Sequence, residues 1–158
     1  MGTLSKALGG FGGFIAGGKK LIEYLINMAR PLIYTTALPP SVLAAGLAAV
    51  QIIQKDPERR ARLWQNTTYF RNSVSELGFD TMGSETPIVP LRIGSSEKAL
   101  IFSQKLMDAG LYVPAIRPPT VPNGTDRLRI SLMATHTQEE MDTLLLWLEK
   151  IGQALKVI

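Results

Sequence analysis

The sequence contains no cysteine. Disulfides, thiolate metal sites and cysteine nucleophiles are therefore excluded, and the composition fits a cytoplasmic protein. A single histidine, His136, is too little for a histidine-based metal site, and no metal is expected. Long hydrophobic runs are also missing. The longest apolar stretch, Val42 to Ile53, is interrupted by Gly46 and Gln51 and falls short of the roughly 20 residues a membrane span needs. The N-terminus lacks the basic-then-apolar order of a signal peptide. Charge of either sign is not concentrated: 17 basic and 13 acidic residues leave a net charge of +4, with one short run at Arg59-Arg60-Ala61-Arg62. Nucleic-acid binding calls for a clustered basic stripe with aromatics. Neither nucleic acid nor membrane is expected as a partner, and the mild positive charge suits small anionic ligands.

What is present is ordinary globular material. The 158 residues are 46% hydrophobic and 19% charged, enough for one core or two small ones. Gly12 to Ala16 is short, apolar and followed by glycines, which predicts a buried strand. Apolar residues at 21, 22, 25, 26 and 29 predict a helix stopped by Pro31. Leu32 to Thr36 reads as a second strand. From Ser41 an alanine- and leucine-rich helix with few polar sides implies deep burial. Asp56-Pro57 reads as an N-cap with proline at the first helical position. The next helix places Leu63, Phe70, Val74 and Leu77 on one face, and Gly78 can close it.

The pattern changes after Gly78. Pro87 to Ile93 and Leu111 to Ile116 read as strands flanking a helix capped by Ser95 or Ser96. Arg117-Pro118-Pro119-Thr120-Val121-Pro122-Asn123-Gly124 must be a loop. From Arg127 to Met133 the chain alternates, with Leu128, Ile130 and Leu132 on one face and Arg127, Arg129 and Ser131 on the other. Thr137 and Glu140 predict a capping box on a final helix that buries Met141, Leu144, Leu145, Leu148 and Ile151. Strands joined through helices, with one polar-backed strand, predict an α/β layer with a half-exposed sheet. The expected division is residues 1–60, with a linking helix, and residues 61–158.

Lys6 carries the most chemical information. It lies in Gly2-Thr3-Leu4-Ser5-Lys6-Ala7-Leu8-Gly9-Gly10, flanked by small hydroxyls and opening onto glycines. A lysine that bonds an aldehyde cofactor wants this setting, because hydroxyls can hold a phosphate and glycines let backbone come close. A surface lysine beside a glycine-rich turn is the plain alternative. A phosphate loop at Gly13-x-x-x-x-Gly18-Lys19 is disfavoured, since Lys20 stands where magnesium would need Ser or Thr.

The segment around Lys6 resembles the cofactor-lysine motif of the α-oxoamine synthases, pyridoxal-phosphate enzymes of fold type I. Two further segments resemble that family in the same order. They are Tyr34-Thr35-Thr36-Ala37-Leu38-Pro39-Pro40, and Ala115-Ile116-Arg117-Pro118-Pro119-Thr120-Val121-Pro122 with Arg127-Leu128-Arg129 and Ala134-Thr135-His136. The resemblance implies the end of the large cofactor-binding α/β domain followed by a small C-terminal α/β domain with a mainly antiparallel sheet. It implies pyridoxal 5'-phosphate as cofactor and a homodimer.

Lys6 would form the Schiff base and then shuttle the α-proton. Thr3 would hold the cofactor phosphate, and Thr35 would reach the same phosphate from the partner subunit. Arg129 would bind the amino-acid carboxylate with its planar fork, and Arg117 would reach that carboxylate during the reaction. Alternation puts Arg127 and Arg129 on one face, and only the resemblance prefers Arg129. His136 reads as structural. The Arg-Pro-Pro-Thr-Val-Pro loop points to the family member that joins L-alanine to a pimeloyl thioester, carried by coenzyme A or a carrier protein, with loss of CO2. A relative using glycine or serine is the rival. In this family the carboxylate that pairs with the pyridinium nitrogen and the histidine that stacks on the ring both precede the lysine. The chain is therefore expected to be the back part of a larger enzyme and inactive by itself.

Overall fold

The computed structural model describes residues 1–158. They divide into two compact units, Met1–Pro57 and Glu58–Ile158.

The N-terminal unit begins with a short antiparallel hairpin, β1 (Gly2–Thr3) and β2 (Gly13–Phe14), paired Gly2 to Phe14 and Thr3 to Gly13. Helices α1 (Lys19–Met28), α2 (Arg30–Ile33) and α3 (Pro40–Lys55) follow. The helix expected to stop at Pro31 ends at Met28. Proline has no N–H to extend the ladder, so the chain breaks at Ala29 and restarts with Pro31 in the first turn of α2.

Three expectations fail in this unit. The strand at Gly12 to Ala16 is only two residues long and is not buried, with Phe14 and Ile15 each 48% exposed. Its only partner is the equally short β1, and no layer covers it. Leu32 to Thr36 is not a strand. Leu32 and Ile33 donate their N–H groups to the Ala29 carbonyl and Tyr34 to that of Arg30, so the backbone satisfies itself locally where no neighbouring strand is offered. The deep burial expected of α3 is absent: Gly46 is its one buried residue, and Leu47 is 63% exposed.

The C-terminal unit is built as the pattern predicts. Helix α4 (Pro57–Glu76) starts at the Asp56-Pro57 step and turns at Gly78, whose φ of 97° lies in the left-handed region. There Phe79 N–H donates to the Val74 carbonyl at 3.1 Å, the long closing bond of a Schellman turn. Then come β3 (Ile88–Arg92), α5 (Ser96–Asp108), β4 (Ala115–Ile116), β5 (Arg127–Ser131) and α6 (Gln138–Ala154). The sheet order is β3-β5-β4, antiparallel throughout. The strand expected at Leu111 to Ile116 is shortened to β4, although Pro114 still accepts from Arg129 N–H.

One face of this sheet is apolar. Val89, Leu91, Leu128 and Ile130 join Phe70 and Val74 of α4, Phe102 and Leu106 of α5, and Leu145 and Leu148 of α6 in a single core. Phe79 and Phe102 meet with ring centres 6.3 Å apart. Gly152 is needed at the close approach of α6: a Cβ there would stand 2.8 Å from the Phe79 ring. Helix starts follow the caps read from sequence. The Ser95 hydroxyl accepts from Lys98 N–H, and Thr137 and Glu140 form a reciprocal capping box. The other sheet face is open and carries Arg92, Arg127 and Arg129 beside Ile88 and Pro90. No helix is long and apolar enough to cross a membrane.

Candidate functional site

The site residues fall in two groups, one in each unit. In the N-terminal unit Lys6 lies at the tip of the β1–β2 hairpin. The connection is closed by Leu4 N–H to Gly12 O at 2.9 Å, Gly10 N–H to Leu4 O at 2.7 Å, and Gly9 N–H to Lys6 O at 2.9 Å. Gly12 has a φ of 101°, and a Cβ there would stand 2.9 Å from a Leu38 methyl. Glycine there lets Leu38, in the segment leading into α3, lie against the hairpin. On α3, a Cβ added at Gly46 would come to ordinary contact distance of Leu4. Leu38 and α3 thus border the hairpin, and the Lys6 side chain stands exposed with no hydrogen bond or ion pair.

Thr3 is tied into this hairpin. Its Oγ1 lies 2.8 Å from Ser5 Oγ, accepts Ser5 N–H at 3.2 Å and donates to Gly12 O at 3.3 Å. Two hydroxyls are thereby clasped beside the Lys6 backbone, in a hairpin with no acidic side chain from Met1 to Gly17. No carboxylate within the hairpin repels an anion. Thr35 is exposed beyond α2, its hydroxyl engaged only at 3.5 Å by the Thr36 carbonyl.

In the C-terminal unit the open sheet face presents Arg92, Arg127 and Arg129. Arg92 lies opposite Arg127 in register, and Asp80 offsets that like-charge pair by holding Arg92 Nε at 2.8 Å. Arg127 donates Nε–H to the Thr125 carbonyl at 2.8 Å. The Arg129 guanidinium is exposed and unengaged. This separates two arginines that alternation left equivalent: one is tethered to its own loop, the other is available to a carboxylate. Arg117 follows β4 at the head of the proline loop, exposed, where Thr120 N–H closes a turn onto its carbonyl at 3.1 Å.

His136 has a packing role, as its position before the capping box implies. Its Nδ1 accepts Met133 N–H at 3.3 Å, and Asn66 donates to the carbonyls of both residues. Sequence reasoning did not find Asp80 or Asp126. Asp80 stands twelve positions before Arg92, and no local pattern links them. Asp126 precedes the alternating strand with no pattern to mark it, and it is 3% exposed.

The class is shown by comparison with known proteins. The family model for class I and II aminotransferases matches residues 1–147, a span that holds Lys6 and both arginine segments. The chain belongs to that family. Among curated relatives, the 8-amino-7-oxononanoate synthase of Geobacter metallireducens is 49% identical over 160 residues, covering 100% of this chain and 41% of that protein. The synthase of the same name from Lysinibacillus sphaericus is 48% identical over 158 residues, covering 100% and 41%. A solved serine palmitoyltransferase carrying pyridoxal phosphate as an internal aldimine superposes with a TM-score of 0.92 at 37% identity, over 99% of this chain and 40% of that one. The 8-amino-7-oxononanoate synthase of Francisella tularensis superposes with a TM-score of 0.86 at 30% identity, over 99% and 45%. The fold is therefore the α/β fold of fold-type-I enzymes, as the resemblance implies, and the chain spans about 41% of the length of these curated relatives.

Proposed function

We propose that this chain is the lysine- and arginine-bearing portion of a pyridoxal-phosphate-dependent C-acyltransferase. The reaction is condensation of L-alanine with a pimeloyl thioester, with loss of CO2, to give 8-amino-7-oxononanoate for biotin synthesis. One observation carries the reading. Lys6 stands free at the tip of a hydroxyl-clasped hairpin, in a chain whose full length is matched by relatives named for this reaction.

When bound, pyridoxal phosphate withdraws electrons from the amino-acid α-carbon. Lys6 Nζ holds the cofactor and then takes and returns a proton at that carbon. Thr3 Oγ1 donates to the cofactor phosphate, and its place in a carboxylate-free hairpin favours that anion. Arg129 fixes the substrate carboxylate in a two-point grip that a lysine could not reproduce. Arg117 approaches the same carboxylate from its loop. Thr35 acts across a homodimer, donating to the partner subunit's cofactor phosphate.

The isolated chain is expected to be inactive, because in this family the groups that tune the pyridine ring lie ahead of the lysine. The test joins this chain to the part of the Geobacter metallireducens synthase that it leaves unmatched. Pyridoxal phosphate is added to the chain and to the chimaera. Absorbance at the visible edge is read, and the adduct is fixed with borohydride and mapped by mass. A band at Lys6 in the chimaera alone supports the reading; no band in either removes Lys6 from its role. Mixing Lys6→Ala and Thr35→Ala chimaeras should restore activity if the two residues come from different subunits.

A second reading has its own support. Serine palmitoyltransferases superpose with a TM-score of 0.92, above the 0.86 of the solved oxononanoate synthase. An enzyme using serine in place of alanine is the rival, and product masses from the two amino acids decide between them.

A further inference from the structure

We infer that Asp126 is a positioning residue for the carboxylate-binding strand. The inference rests on the proposed role of Arg129 and adds a residue that the proposed reaction does not otherwise use.

Asp126 is the only acidic or basic side chain buried in the structure, at 3% exposure. A buried carboxylate is costly unless it is hydrogen-bonded, so its partners show what it is for. Its side chain accepts from the Ser96 hydroxyl in the first turn of α5. That placement also sets the negative charge near the positive end of the helix dipole. Its backbone carbonyl accepts Ile93 N–H at 2.8 Å and Gly94 N–H at 3.0 Å, just past the end of β3. One residue therefore ties three element ends together: the exit of β3, the entry of α5 and the entry of β5.

The setting makes this tie consequential. The loop before it is held mainly by itself. Thr125 donates N–H and hydroxyl to the Pro122 carbonyl at 3.2 and 2.6 Å, and Arg127 donates to Thr125. Between the loop and the strand, Asp126 is the first buried residue, and Arg129 follows three positions later on the open face. A one-residue slip at this point would turn Arg129 into the core and Leu128 or Ile130 out to solvent. The Arg129 guanidinium has no side-chain partner to orient it, so its aim depends on the backbone beneath it.

The test uses the loaded chimaera and the 158-residue chain. Asp126→Ala should raise the KM for L-alanine about tenfold with kcat changed less than about twofold, the effect of a misplaced binding group. Asp126→Asn keeps an oxygen acceptor for Ser96 and should restore KM to near the parent value. Ser96→Ala, which removes only the donor, should fall between. Val74→Ala is the control: it thins the core of the same unit, lowers Tm and leaves KM alone. In the isolated chain, Asp126→Ala should speed hydrogen exchange at Ile93 and Gly94, and Asp126→Asn should not.

If Asp126→Ala lowers Tm while KM stays at the parent value, the residue is merely structural and the inference is wrong. Equal KM changes in Asp126→Ala and Val74→Ala would also overturn it. Arg129→Gln separates this failure from that of the underlying reading. An unchanged KM in Arg129→Gln removes Arg129 from the carboxylate site; a raised KM there beside an unchanged Asp126→Ala sinks only the positioning role.

Discussion

The N-terminal unit is the richer of the two in apolar residues, yet the C-terminal unit is the one that buries them. In Glu58–Ile158 the apolar residues face one another across a sheet and three helices, and fifteen of them form one buried cluster. In Met1–Pro57 only Gly46 is buried, and many large side chains of α1 and α3 are exposed, among them Tyr24, Met28, Leu43 and Leu47. Composition does not explain these outcomes. Layering does: an apolar helix face is buried only when a second layer lies against it. The C-terminal unit supplies both of its layers, whereas the N-terminal unit supplies a two-residue hairpin and helices with no sheet beneath them. Helix ends repeat the contrast. Side chains cap α5 and α6, and none caps α1 or α3.

The largest test of this contrast divides the chain after Pro57. Glu58–Ile158 alone should melt cooperatively with its helical circular dichroism intact, and Met1–Pro57 alone should show no cooperative transition. A sharp melt from the N-terminal piece would break the comparison. Within the whole chain, Leu148→Ala should cost about 2–5 kcal/mol by urea unfolding. Leu47→Ala, on the bare face of α3, should change stability by less than about 0.5 kcal/mol. Thr137→Ala removes half of the capping box and should cost about 1 kcal/mol in the same assay.

A converse change should help the weaker unit. Gly18 caps α1 with extended backbone, and a Cβ there meets nothing within 4 Å. Gly18→Ser should therefore add a few tenths of a kcal/mol and a small gain in helicity. The smallest effect is one of pH. The hydrogen bond from Tyr69 to Asp142, with help from desolvation and the Asp142 charge, holds the phenol above its ordinary pKa of 10.0. The folded state thus keeps that proton longer than the unfolded chain. The bond's contribution is complete below about pH 10 and is lost as pH rises through the folded value. Tyr69→Phe should show a shallower alkaline loss of stability than the parent; identical alkaline curves would mean that the bond does not form in solution.

Much of the C-terminal unit was legible before any coordinates. Alternation at Arg127–Ser131 named the buried and open faces of β5, and Thr137 with Glu140 named the start of α6 to the residue. These signals are local, set by strand period and by side chains within one turn of a helix end. The N-terminal unit was legible in α1 and in the helix after Pro40, but not in its strands or its burial. Leu32 to Thr36 has strand-forming residues, yet pairing needs a neighbour and none is present. The long apolar face of α3 shows that it wants a partner layer and cannot show which residues lie against it. At the site, the Lys6 motif and both arginine segments were readable as patterns. The clasp of Thr3 by Ser5, the neutralisation of Arg92 by Asp80 and the burial of Asp126 were not, because each depends on atoms brought together by a turn or a sheet register.

By itself the sequence determined the family and the order of its motifs, along with the caps and alternation of the C-terminal unit. These depend on residue type and on spacing along one strand or helix turn. Tertiary structure decided which apolar faces are covered and which of Arg127 and Arg129 is free. It also showed that a single buried carboxylate joins three element ends beneath that arginine. Those are long-range matters, settled by whether a second layer or a distant backbone group happens to lie within a few ångströms.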